Sequence, residues 1–291
     1  LAADTATTAA NIDKASISAV TGITAANRTY DGTTAATLDT TDASFSGIVS
    51  GDSLSIGSAS GAFTDKNAGM GKTVNITGIT LSGADAGNYT LAADTATATA
   101  NIDKASISAV SGITAGNRTY NGTTAASLDT SNASFAGIVS GDSLNIDSAS
   151  GVFADKNAGT GKTVTVTGIT LGGADAGNYT LLSDAATTTA DINKAVLAIS
   201  GITASNKTYD GTTDATLSGT ASVTAIGGDD VAVSGTGLGS FADKHAGAGK
   251  TVTASGYTLT GSDAGNYSLI QPTGLTATIS QKSLTVSGIS A

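Results

Sequence analysis

Lys72–Leu81 reads KTVNITGITL. Val74 and Ile76 alternate with Thr73, Asn75 and Thr77, the period of two that puts apolar side chains on one face of a β-strand. After Gly78 the phase slips by one residue, and Ile79 and Leu81 carry the alternation onward. A one-residue slip at a glycine is what a β-bulge, or a bend between two strands, requires. The pattern returns at Val164, Val166, Gly168, Ile169 and Leu171, and again at Val252, Ala254, Gly256, Tyr257 and Leu259. The same stretch therefore selects β-structure and marks a repeat.

Working outward, residues 15–104 and 105–194 agree at 69 of 90 positions without a gap, and a more diverged third copy starts at Ala195. TYDGTT at Thr29–Thr34 returns as TYNGTT at Thr119–Thr124 and TYDGTT at Thr208–Thr213; DAGNY recurs at Asp85–Tyr89, Asp175–Tyr179 and Asp263–Tyr267. Solenoid units run about 20–50 residues, so a repeat this long is a whole small domain. The frame is modules at 15–104, 105–194 and 195–282, with 1–14 reading as the tail of a preceding repeat and 283–291 as the opening of a further one. That frame implies a segment of a longer array.

Ala43–Val49, Ser58–Thr64 and Gly87–Ala100 read as further strands, separated by the turns YDG, SGD, DKNAG and GADAGN. Asp, Asn and Gly there supply left-handed backbone and side-chain-to-backbone bonds. About seven short strands per module predict an all-β fold of tandem immunoglobulin-like β-sandwiches. A β-helix is the alternative, but the module contains no short coil repeat. Strand-like sequence runs through the junctions without a Pro/Gly/Ser linker, which predicts a semi-rigid, elongated rod.

The chain has 38 Gly, one Pro and no Cys or Trp, and its 23 acidic residues, all Asp, outweigh 13 Lys and Arg for a net charge of −10. The acid is spread evenly. Nucleic acid and anionic lipid need a basic stripe, which is missing, so neither partner is expected. Spread negative charge favours solubility. A chain without cysteine suits the cytosol and equally a long exported protein. No signal peptide or apolar span is visible, so no membrane insertion by this segment is expected.

The only histidine, His245, stands where the other copies have Asn67 and Asn157, and nothing nearby changes to give it a nucleophile or an orienting acid. It reads as a surface turn residue, and the chain as a non-enzyme with no catalytic residue. Without Cys or Glu, a zinc site is excluded. A structural calcium ion is the one cofactor left open, because Asp65, Asp155, Asp243, Asp85, Asp175 and Asp263 hold their places. Asp beside Gly is also ordinary turn chemistry, and the junction acid is lost from Asp13 and Asp103 to Asn193 and Gln281. In the first landmark, Tyr30, Asp31 and Gly32 recur as Tyr120, Asn121 and Gly122, then Tyr209, Asp210 and Gly211. Asp-to-Asn keeps turn geometry and loses charge, so the motif reads as a turn anchored by a half-buried tyrosine with its hydroxyl on backbone. In the second, Asn88 and Tyr89, Asn178 and Tyr179, and Asn266 and Tyr267 read as an Asn capping a turn and a Tyr entering a strand. Lys66, Lys72 and Asn88 recur in all copies and admit an isopeptide cross-link only if a buried carboxylate stands beside the pair. The Thr95, Thr97, Thr99 ladder reads as a poorly packed, solvated strand, with edge-to-edge pairing as the alternative.

The segments Asn27–Thr34, Phe63–Val74 and Gly83–Leu91, with their counterparts in the other copies, resemble the YDG and MBG-type repeat domains of large bacterial surface adhesins of the filamentous-haemagglutinin type. The resemblance covers all three modules. It implies immunoglobulin-like sandwiches at the bacterial cell surface or in a secreted protein, with no catalytic residues to carry over. On that footing the array is a stalk or spacer projecting a distal binding region, with neighbouring repeats of the same chain as its partners. The other reading is that the modules themselves bind glycans or self-associate in a filament or biofilm matrix.

Overall fold

The computed structural model describes residues 5–288. The chain is all-β, built of repeated β-sandwich-like units, and its only helical segments among the described residues are single 3-10 turns at Ala86–Asn88, Ala176–Asn178 and Ala264–Asn266. It divides into two compact units that do not follow the sequence frame. Unit 1 is Leu1–Gly112 with Ser131–Ser148 and Ile169–Asp184; unit 2 is Ile113–Thr130 with Ala149–Gly168 and Ala185–Ala291.

Unit 1 contains the whole first copy. Its main sheet has the order Arg28–Thr29, Ala96–Asp103, Gly69–Ser82, Ser55–Phe63, Ala35–Ala36. Every neighbour is antiparallel except Arg28–Thr29, which runs parallel to Ala96–Asp103. Three short ladders accompany it: Ala15–Ile17 parallel to Tyr89–Leu91, Ala19–Thr21 antiparallel to Ser44–Ser46, and Thr24–Ala25 antiparallel to Leu38–Asp39. Largely antiparallel hairpins exclude the parallel coils of a β-helix. The first copy uses eleven strands rather than about seven, because the chain between Ala15 and Ser46 is divided into pieces of two or three residues.

Lys72–Leu81 lies inside the single strand Gly69–Ser82. Val74 and Ile76 are fully buried and Ile79 is 3% exposed, so one face of the strand joins the core with Ile17, Val20, Phe45, Phe63, Tyr89 and Ile102. The phase slip at Gly78 is a bulge: Ser60 pairs with Thr77 but Ser58 pairs with Thr80. Gly78 sits at φ 66°, which lets the extra residue turn without breaking the strand. In the third copy the corresponding Gly256, at φ 86°, separates Gly247–Ser255 from Thr258–Thr260, so the same slip there is a bend. Thr95, Thr97 and Thr99 are all exposed, as expected of a solvated face, and the strand's other face is inward. Ala96–Asp103 is second in its sheet rather than outermost, and it packs Ala100 into the core. Ile102 is paired on both edges, so at that end of the strand another molecule has no place to add.

In unit 2, Arg118–Thr119 pairs parallel to Ala186–Asn193, which pairs antiparallel with residues 159–166. Tyr120, Phe153, Val164, Ile192, Leu197 and Tyr267 share one buried cluster. The third copy supplies a second sheet, ordered Lys207–Thr208, Leu275–Ser280, Gly247–Ser255, Leu238–Phe241, Asp214–Ala215, over a core of Phe241, Val252, Ala277 and Ile279.

Candidate functional site

The YDG turn is closed by its own side chains. Asp31 Oδ1 accepts from the Thr33 backbone N–H at 2.9 Å and from its hydroxyl at 2.9 Å, while Oδ2 accepts from Arg28 Nη1 at 3.0 Å. Asn121 takes the same bonds from Thr123 and Arg118 through its amide oxygen, and Asp210 from Thr212 and Lys207. Gly32, Gly122 and Gly211 sit at φ 81°, 79° and 87°. The Arg28, Arg118 and Lys207 cations lie over Phe63, Phe153 and Phe241 at 5.2, 5.0 and 5.5 Å, tying the turn to the core.

The tyrosine of the turn goes elsewhere. Tyr30 is 3% exposed, and its hydroxyl donates not to backbone but to Asp142 Oδ2 at 2.7 Å, in the SGD turn of the second copy. Tyr179 donates to the same oxygen at 2.7 Å, and Lys66 Nζ to Asp142 Oδ1 at 2.9 Å. Lys66 also lies 3.4 Å from Asp175. The two rings meet edge to face at 5.6 Å. The Asp142 side chain is only 2% exposed, so this is a buried carboxylate with three donors. Asn178 completes the contact. Its Oδ1 accepts from the Ala68 backbone N–H at 2.9 Å, and its amide donates to Asn67 Oδ1 at 3.3 Å, so it ties two copies rather than capping its own turn. All of this lies within unit 1.

Unit 2 builds the same cluster. Tyr120 and Tyr267 donate to Asp229 Oδ2 at 2.7 and 2.6 Å, and Lys156 donates to Oδ1 at 2.8 Å with Asp263 at 3.4 Å. Asn266 accepts from Ala158 N–H at 2.8 Å and donates to Asn157 at 3.2 Å. The rings of Tyr120 and Tyr267 are 5.4 Å apart.

A family model described as the YDG domain matches residues 6–98, 103–190 and 193–277. The chain belongs to the YDG domain family. Each junction cluster thus joins one YDG module to the next in sequence. No curated protein matches the chain. Among solved structures it is similar to the three N-terminal domains of the highly immunogenic outer capsid protein (Hoc) of bacteriophage RB49, at 12% identity over 84% of this chain and 79% of that one, with a TM-score of 0.22. It is similar also to the I9–I11 tandem of titin, at 10% identity over 93% and 98%, with a TM-score of 0.16.

The electrostatics of the YDG junction favour fixed charges. Burial pushes the Asp142 carboxyl up, but the bonds from Tyr179, Lys66 and Tyr30 outweigh it and leave it below the usual range. Asp229 is held down to about 2 by Lys156 first and Tyr267 next. Burial and the shared carboxylate push Tyr179 and Tyr267 up to about 12. Lys66 and Lys156 are raised, chiefly by Asp142 and Asp229. An isopeptide bond between Lys66 and Asp142 would need a neutral amine and a protonated carboxyl, and both shifts run the other way. The arrangement can hold two modules together.

The remaining candidates stay local. His245 is exposed, its backbone N–H bonded to Asp243 Oδ1 at 2.8 Å as Asn67 is to Asp65. Lys72 pairs with Asp65 at 2.7 Å. Among the described residues no group of three or more His, Cys, Asp or Glu could hold a metal ion. In the sequence Asp142 and Asp229 look like ordinary Gly-Asp turn residues. The signal was present: Gly51-Asp52, Gly141-Asp142 and Gly228-Asp229 persist while the flanking Ser140 and Ser143 become Gly227 and Asp230.

Proposed function

We propose that these YDG modules are non-catalytic stalk repeats of a bacterial cell-surface or secreted adhesin, and that they project a distal binding region. The observation that supports this is the repeated junction cluster: the same five side chains join the first copy to the second and the second to the third. A spacer must transmit position, and a buried carboxylate with three donors fixes the angle between modules better than apolar contact alone, because its bonds are directional. The segment needs no cofactor in this reading.

The test is display beneath an unrelated binding domain on a bacterial surface. The segment should restore capture on a receptor-coated surface that the directly anchored domain fails to reach, and the segment alone should bind no glycan on an array. Capture that does not improve, or a specific glycan hit, sinks the stalk reading.

A further inference from the structure

The turn of the second copy carries Asn121 where the others carry Asp31 and Asp210, and Asn121 is the one asparagine in the chain that precedes a glycine. Its side chain folds back over its own backbone, because Oδ1 accepts from the Thr123 N–H at 3.1 Å. That closed ring holds the side-chain carbonyl carbon, Cγ, over the Asn121–Gly122 peptide bond. Two more donors converge on the same oxygen, Arg118 Nη1 at 2.6 Å and the Thr123 hydroxyl at 2.9 Å. Arg118 is itself fixed, by an Nη2 bond to the Thr123 carbonyl oxygen and by its seat over the Phe153 ring. The Gly122 N–H has no hydrogen-bond partner among the described residues. With no Cβ, the glycine leaves that nitrogen unscreened. Asn121 is exposed, so water reaches it.

We propose that Asn121 is a self-modifying site, at which the folded turn converts the asparagine to aspartate without an enzyme. The Gly122 backbone nitrogen, losing its proton to solvent, attacks Asn121 Cγ. The Cγ–Nδ2 bond breaks and Nδ2 leaves as ammonia, taking a proton from water, which closes a five-membered succinimide. Water then adds to Cγ, the bond from Cγ to the Gly122 nitrogen breaks, that nitrogen regains a proton, and a carboxylate remains. One water is consumed and one ammonium ion released. The three donors on Oδ1 act as an oxyanion hole, since charge develops on that oxygen in both steps. They also decide the product. Water attacking the backbone carbonyl of the succinimide would give an isoaspartate with a lengthened main chain, but the donors polarise Cγ instead. Space acts in the same direction. A Cβ on Gly122 would already meet Ile226 at 3.2 Å, and Tyr120 is buried and bonded to Asp229, so the turn has little room for an added backbone atom. The product restores the charge of the other copies. There the bonds from Thr33 and Arg28 hold Asp31 below the usual carboxylate range, and those from Thr212 and Lys207 hold Asp210 at about 2. This does not depend on the stalk reading.

Peptide mapping of the intact folded chain, aged in mildly alkaline buffer, tests it. Asn121 should be replaced by aspartate, with isoaspartate the minor product, while Asn132 and Asn145 of the same tryptic peptide stay intact. The conversion should run severalfold faster in the folded chain than in the same chain unfolded in guanidinium chloride. Arg118→Gln removes the cationic donor and should slow it about tenfold, less than the roughly 10²–10³ of a buried oxyanion hole because the turn is solvated. Arg118→Lys, which copies the bond that Lys207 makes to Asp210, should keep the rate. Thr123→Val removes the exposed hydroxyl donor alone and carries the same test if Arg118→Gln fails to fold. Three results overturn the proposal: conversion no faster in the folded chain than in guanidinium chloride, a rate unchanged or raised in a folded Arg118→Gln or Thr123→Val chain, or isoaspartate as the main product.

Discussion

Asp142 and Asp52 occupy the same place in successive modules, and their surroundings differ by two side chains from an adjoining module, a tyrosine and a lysine. Asp142 receives Tyr30, Tyr179 and Lys66 and is almost fully buried. Asp52 receives Tyr89 and stands at the edge of an open hollow. Yet the bonds inside each module are the same at both places, down to the backbone N–H of Val49 or Val139 on the tyrosine hydroxyl. The receiving half of the joint is therefore preformed by its own module, and the Tyr30–Lys66 prong is added to a site that need not rearrange. Preorganisation of this kind keeps the ordering entropy of the contact small.

The sharpest way to break the comparison is to remove both carboxylates. Asp142→Ala strands two buried tyrosine hydroxyls and a lysine, and should cost about 2–4 kcal/mol, whereas Asp52→Ala strands one hydroxyl and should cost about 1 kcal/mol. Urea unfolding of the two variants measures the difference. Equal losses would show that the engaged cluster contributes nothing beyond its module.

This division also explains what the sequence disclosed. The strand at Lys72–Leu81 was legible because burial of Val74 and Ile76 is tied to the period of the strand itself. The bulge at Gly78 followed from the same periodicity. The destination of Tyr30 was not legible, because its acceptor lies 112 residues away and looks like any Gly-Asp turn. Asn178 was read as a local cap for the same reason, since Asn is common at turns and its partner Ala68 is 110 residues distant. Local rules describe what a module does to itself and miss what it does to its neighbour.

Acidity separates the two kinds of corner next. Asp229 titrates at about 2 in the folded protein against an ordinary 3.8. A depressed carboxyl stabilises the fold above the unfolded value, so this contribution is complete above about pH 4 and is lost as pH falls toward 2. Tyr267 is raised from 10.0 to about 12, so the neutral phenol is favoured by folding and stability is lost as pH climbs from 10 toward 12. The engaged junctions should hold across the range between, and Asp229→Asn should flatten the acid limb of a melting-temperature profile. An acid limb unchanged by that substitution would place the acid sensitivity elsewhere.

Removing one hydroxyl is milder. Tyr30→Phe deletes a hydrogen bond to a buried carboxylate and should cost about 1.5–3 kcal/mol. Tyr209→Phe deletes a hydroxyl that makes no hydrogen bond among the described residues and should leave stability within about 0.5 kcal/mol. The pair isolates the joint from the ring, since both variants keep the aromatic body. A cost for Tyr209→Phe equal to that of Tyr30→Phe would mean the hydroxyl serves its own module.

The finest contrast uses two glycines with nearly the same backbone. Gly32 and Gly211 sit at φ 81° and 87°, so an alanine at either place meets the same left-handed strain of about 1–2 kcal/mol. Only at Gly32 does the new methyl also press on a neighbour, Val139 Cγ1 at 3.0 Å. The difference between Gly32→Ala and Gly211→Ala therefore subtracts the strain and leaves the contact between modules, an excess of a few tenths to about 1 kcal/mol, because Val139 must shift within a packed site. Chemical denaturation resolves that margin. If the two substitutions cost the same, Val139 moves freely, and the joint is held by its polar cluster rather than by the seat of the turn.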